Sequence, residues 1–93
     1  MTENAATRTV IVSNPTGLHM RRASAISKLV GDFQSKIDLV KDGHRASTTE
    51  PLEILLLAAE CGSQLVIEAT GPDAEEAVDA LAKLFADNFG LVD

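Results

Sequence analysis

The stretch Gly17-Leu18-His19-Met20-Arg21-Arg22-Ala23-Ser24 sets a histidine where a helix is expected to begin, with two arginines close behind it. A helix start gathers unpaired backbone N–H groups and the positive end of the helix dipole, so it favours a bound anion. Histidine is a nucleophile that can carry a covalent group near neutral pH. The combination points to a histidine that takes up and passes on a phosphoryl group.

The surrounding sequence arranges itself around that stretch. Upstream, Thr7 to Ser13 is rich in β-branched residues and reads as a strand, broken by the loop Asn14-Pro15-Thr16-Gly17. Downstream, Met20, Ala23, Ile26, Val30 and Phe33 recur at helical spacing, and Gly31 marks the end of this first helix. Lys36 to Val40 alternates, with Ile37 and Leu39 on one face, which predicts a second strand. Asp42-Gly43 is a strong hairpin signal and leads into a short third strand at about 45–48. A second helix is predicted from Pro51, capped by Glu50, with a largely apolar body from Leu52 to Glu60. Gln64 to Thr70 alternates with Leu65, Ile67 and Ala69 on one face, predicting a fourth strand. Asp73, with Glu76 three residues on, reads as the capping box of a third helix that Gly90 ends. Ala77, Leu81, Leu84 and Phe85 form its expected buried stripe.

The order β-α-β-β-α-β-α suggests an α+β fold: a four-stranded antiparallel sheet with three helices on one face. A ferredoxin-like split arrangement with an extra helix has the same order of elements, and periodicity alone does not choose between the two.

Ninety-three residues make one domain, 1–93, and the 45% hydrophobic content indicates a folded chain. Cys61 is the sole cysteine, so no internal disulfide forms, and its expected state is a half-buried thiol beside a turn. No apolar run is long enough to insert in a membrane, and the polar N-terminus lacks a signal core, so a cytoplasmic location is expected. A net charge of −6 argues against general nucleic-acid binding. The charge is uneven: residues 1–50 carry +2 and residues 51–93 carry −8. The half that holds His19 is therefore a candidate basic docking patch for acidic partners. The alternative is two solvated faces of opposite sign. No Gly-rich nucleotide loop, metal-ligand cluster or Ser-His-Asp pattern is present. His44, in the hairpin with no motif around it, reads as a solvated turn residue.

The 17–23 stretch resembles the Gly-Leu-His-Ala-Arg-Pro-Ala signature of the HPr family, histidine phosphocarriers of the bacterial phosphoenolpyruvate-dependent sugar phosphotransferase system. The likeness extends without a gap through Lys41-Asp42-Gly43 to Cys61-Gly62 and the acidic start of the last helix. The resemblance implies an open-faced β-sandwich. It places the phosphoryl acceptor at His19, phosphate stabilisation at Arg21 and the loop glycine at Gly17. It also implies an enzyme I-type kinase as donor and a sugar permease component or another phosphoacceptor protein as acceptor. A monomer that needs no cofactor is expected, because the partners supply nucleotide or metal. Two positions depart from the family: Arg22 stands where the signature has proline, and Glu50 occupies the position of a regulatory serine. The second helix, through Leu52 and Leu55, is expected to meet the kinase together with Arg21 and Arg22. The alternative reading is an HPr-like regulatory interaction module that relays no phosphate, with Glu50 imitating a phosphorylated state. A weaker one is a ferredoxin-like small-molecule binding domain in which His19 is incidental.

Overall fold

A computed structural model describes residues 4–90. The order is β1 (Ala5–Ile11), α1 (Met20–Val30), β2 (Lys36–Lys41), β3 (His44–Ser47), α2 (Pro51–Leu56), β4 (Gln64–Thr70) and α3 (Ala74–Ala86), followed by a 3-10 turn at Asn88–Gly90. The strands form one antiparallel sheet in the order β1-β4-β2-β3. Inward-facing Ile37, Leu39, Leu65, Ile67 and Ala69 meet Ala23, Ile26 and Val30 of α1, Ile54 of α2, and Ala77, Val78, Leu81 and Phe85 of α3 in a single core. Of the two architectures the element order permits, the open-faced sandwich is the one formed.

Alternation and helical spacing locate most of these elements because each has one buried face. β4 and α1 fall where the pattern puts them. Several boundaries differ from the sequence reading, those of β2 and β3 by a single residue. β1 begins and ends two residues early, since Ala5 and Ala6 pair with Thr70 and Ala69 of the seven-residue β4, and tertiary pairing outweighs alanine's weak strand preference. Past β1, the Val12 N–H donates to Ser63 O and its carbonyl accepts the Gly62 N–H. α2 stops at Leu56 instead of reaching Glu60. Its last turn tightens through Leu57 N–H to Ile54 O and Ala58 N–H to Leu55 O, and Ala58 then turns the chain away at φ 51°. Lys41 Nζ donates to the Leu57 carbonyl at 3.2 Å, a cation on the negative end of this short helix.

α3 ends at Ala86 and leaves Gly90 to the 3-10 turn. Its expected capping box is absent: Asp73 sits at the N-cap, but its carboxylate accepts hydrogen bonds from Gln34 N–H, Ser35 N–H and Ser35 Oγ–H instead. Asp73 thereby ties the start of α3 to the loop that enters β2. Phe33 follows α1 rather than belonging to it and is half-buried against the core. Cys61 is exposed, not half-buried, although its Sγ–H reaches the Ser13 carbonyl at 3.7 Å. No helix among the described residues is long and apolar enough to cross a membrane.

Candidate functional site

The loop between β1 and α1 is held from two sides. Asn14 is buried, and its Nδ2 donates to Gly17 O at 2.5 Å. Gly17 has φ 75°, and a side chain there would meet Ala59 O at 2.6 Å and Glu60 Cα at 3.1 Å. Only glycine combines that left-handed backbone with so close an approach. The next residue, Leu18, is buried, and its N–H donates to Ala59 O at 3.0 Å. The left-handed turn at Ala58 presents that carbonyl. The early end of α2 is thus part of what fixes the start of α1.

His19 follows as the N-cap of α1, with φ −91° and ψ 175°. Its ring is exposed and makes no capping hydrogen bond. The first helical bond runs from Ala23 N–H to His19 O at 2.9 Å. The N–H groups of Met20 and Arg21 therefore lie ahead of the hydrogen-bonded turns, beside the imidazole. The first turn holds no acid, and Arg21 and Met20 are exposed. An exposed ring, the helix-end donors and an exposed arginine thus lie within three consecutive residues at a helix start free of acid, a combination suited to a dianionic group.

Arg22 departs from expectation. It is not exposed beside Arg21, as expected of a docking residue, but is 1% exposed. Its guanidinium lies over the Phe89 ring, 5.8 Å from the centroid, and Nη2 donates to Asn88 Oδ1 at 3.4 Å. As the third helical residue it falls on the inward face of α1, together with Ala23, Ile26 and Val30. The broader basic patch is also reduced. Arg8 pairs with Asp79 across to α3, Arg45 bridges Asp38 and Glu68 at 2.9 and 2.7 Å on the open sheet face, and Lys41 caps α2. Positive charge beside His19 is carried by Arg21.

α2 borders the site, since α1 packs on it. Ile54 and Leu57 are buried, whereas Leu52 and Leu56 are 67% and 83% exposed. Leu55, expected on the docking face, is half-buried against the core, and Leu56 is instead the exposed residue beside Leu52. Helical spacing could have found this: with Ile54 and Leu57 inward, Leu52 and Leu56 share the opposite face. Glu50 occupies the N-cap of α2 and is exposed, and its carboxylate makes no capping bond. Among the nearby hydroxyls, Thr48 is buried, with Oγ1 donating to Ile37 O at 2.7 Å. His44 lies at the exposed hairpin end of β3. Asn14 is the site residue that the sequence reading missed; a polar loop residue three positions before a required glycine is the signal it offered.

Comparison with known proteins agrees with this geometry. Residues 6–87 match the family described as PTS HPr component phosphorylation site. The chain is 35% identical to the phosphocarrier protein HPr of Cupriavidus necator over 83 residues, which is 89% of this chain and 93% of that one. It is 39% identical to the phosphocarrier protein NPr of Proteus mirabilis, over 88% of this chain and 92% of that one. Among solved structures it resembles HPr from Thermoanaerobacter tengcongensis, with a TM-score of 0.88, 31% identity, and coverage of 95% of this chain and 99% of that one. Matched along most of its length in both sequence and fold, the chain belongs to the HPr family of phosphotransferase-system phosphocarriers.

Proposed function

We propose that His19 accepts a phosphoryl group from an enzyme I-type kinase and passes it to a permease component or another phosphoacceptor protein. The observation that carries this reading is an exposed imidazole at the N-cap of a helix whose first turn is free of acid. A ring nitrogen attacks phosphorus, and the new N–P bond forms as the bond to the donor breaks. The ring proton leaves to solvent, and transfer onward reverses the sequence. Met20 and Arg21 N–H groups and the Arg21 guanidinium receive the phosphoryl oxygens. The site is open to solvent, so donor and acceptor proteins can each reach the phosphoryl group. The chain works as a monomer in short-lived complexes, with Leu52, Leu56 and Met20 as the apolar contact and Arg21 as the charged one.

Two phosphoryl donors separate chemistry from docking. A phosphoramidate salt needs no protein surface, whereas phosphoenolpyruvate with a bacterial enzyme I does. His19→Ala should abolish labelling from both, and His44→Ala should leave both intact. Leu56→Asp should slow transfer from the kinase and leave transfer from phosphoramidate unchanged. Continued acid-labile labelling of His19→Ala would overturn the assignment. A folded wild-type protein that takes label from neither donor would favour the regulatory-module reading.

A further inference from the structure

The C-terminal 3-10 turn touches the site's helix through an unusual link. Arginine is almost never fully buried without partners. Arg22 is buried three residues after His19, with its guanidinium over Phe89 and its Nη2 on Asn88 Oδ1. Phe89 is itself buried and meets Phe85 of α3 edge-to-face, with ring centroids 5.0 Å apart and planes at 62°. Asn88, Phe89 and Gly90 have φ 52°, 60° and 70°. A bulky residue such as phenylalanine adopts that backbone only where its surroundings determine it. Here they do: Phe89 is clamped between Phe85 and Arg22.

We propose that the turn Asn88–Gly90, acting through Arg22, is the positioning element that orients the start of α1 for phosphoryl acceptance. Arg22 lies in the turn whose leading N–H groups face the incoming anion. Anchoring its side chain to α3 through Phe89 fixes the rotation and axial position of that turn. Proline, which the family signature has here, would set the backbone by its ring; Arg22 sets it by a tertiary contact. The inference rests on His19 as acceptor, and Asn88, Phe89 and Arg22 are positioning residues that touch no reacting atom.

The test uses Phe89→Leu, which keeps an apolar side chain but loses the ring face, and Phe89→Tyr, which restores it. Arg22→Lys keeps the charge and loses the planar contact, and it serves if Phe89→Leu does not fold. Three quantities are measured: amide resonances of Met20 and Arg21, initial phosphorylation rate with phosphoramidate, and thermal midpoint. In a folded Phe89→Leu, both amides should shift and the rate should fall roughly tenfold, as expected for a displaced reacting geometry. Phe89→Tyr should restore both. Combining Phe89→Leu with Arg22→Lys should slow the rate no further, because both break one link. Wild-type amide positions and rate in a folded Phe89→Leu would overturn the proposal, leaving the turn a matter of stability only. If wild-type protein takes no phosphoryl group, the reading of His19 fails, while the Met20 and Arg21 amides still decide whether the turn sets the helix start.

Discussion

α1 starts with His19, Met20 and Arg21 exposed and no acid in its first turn, whereas α3 starts with Asp73 followed by Glu75 and Glu76. Both helices present the same backbone donors and the same positive dipole end. In α3, Glu75 and Glu76 bring negative charge to that positive end, although no side chain makes a capping hydrogen bond. In α1 it is left for something else, and the preceding loop is fixed from outside the helix by Asn14, Gly17 and the Ala59 carbonyl. The α3 end carries acidic charge of its own, whereas the α1 end carries none and takes its rigidity from the neighbouring loop.

The largest effect should come from breaking that external support. Gly17→Ala forces a side chain into the left-handed region and against Ala59 O. Strain and overpacking together should cost about 2–5 kcal/mol, measured as the shift in urea unfolding. Phosphoryl acceptance should fall in the fraction that stays folded. Wild-type stability in Gly17→Ala would mean that the loop relaxes freely and that its rigidity plays no part.

Asp73 is the corresponding support at α3, and its effect depends on pH. The Ser35 hydroxyl and then the Gln34 N–H hold the Asp73 carboxyl below the usual carboxylate range. A folded-state value below the unfolded one contributes stability that is present above about pH 3.9, the ordinary aspartate value, and is lost as pH falls through the folded value. Asp73→Ala should therefore lower the urea midpoint at pH 6, and its difference from wild type should shrink as pH drops below about 4. A difference that stays constant from pH 6 to pH 2 would show that the carboxylate's charge contributes nothing. Phosphoryl acceptance by Asp73→Ala should be unchanged where it is folded, since the carboxylate does not border His19.

The sequence carried the sheet, α1 and α3 because each buries one face at a fixed period. It also placed His19 and Gly17 at a helix entrance by local signals alone. The burial of Arg22 was not legible, because its partners Asn88 and Phe89 lie 66 and 67 residues away and only the packing of α1 against α3 brings them together. Asp73 misled for the same reason: spacing within the helix suggests a capping box, but Ser35 offers competing donors from 38 residues away. α2 was read too long because its leucines fit a helix throughout, and nothing local announces the left-handed Ala58.

A carboxylate moved into the first turn of α1 tests the comparison more finely. Met20 is exposed, so Met20→Glu disturbs little packing. The acid should raise stability by about 0.3–1 kcal/mol through the helix dipole at low salt. It should also slow phosphoryl acceptance at His19, because it occupies the positive end meant for the phosphate. Stability and activity should thus move in opposite directions, whereas in Gly17→Ala both fall. If Met20→Glu accelerates labelling, the open helix end is not what receives the anion.

The smallest effect is expected at Glu50, the start of α2. Pro51 at the first helical position has no N–H, and the N–H groups of Glu53 and Ile54 already reach Glu50 O at 3.0 and 3.3 Å. Little remains for the Glu50 carboxylate to cap, in keeping with its lack of a capping bond. Glu50→Gln should change stability by less than about 0.5 kcal/mol, and that small change should fade in high salt. Transfer from the kinase should also be unchanged. An HPr serine kinase with ATP should leave the wild-type protein unlabelled, since Glu50 has no hydroxyl, Thr48 is buried, and Ser47 and Thr49, whose hydroxyls bond each other at 2.9 Å, lie before the cap; labelling at Ser47 or Thr49 would show the control site moved by a few residues. The informative opposite is a Glu50→Gln protein that accepts phosphate many-fold faster than wild type. That result would make Glu50 a standing brake on transfer, and the regulatory reading would replace the carrier reading despite the open end of α1.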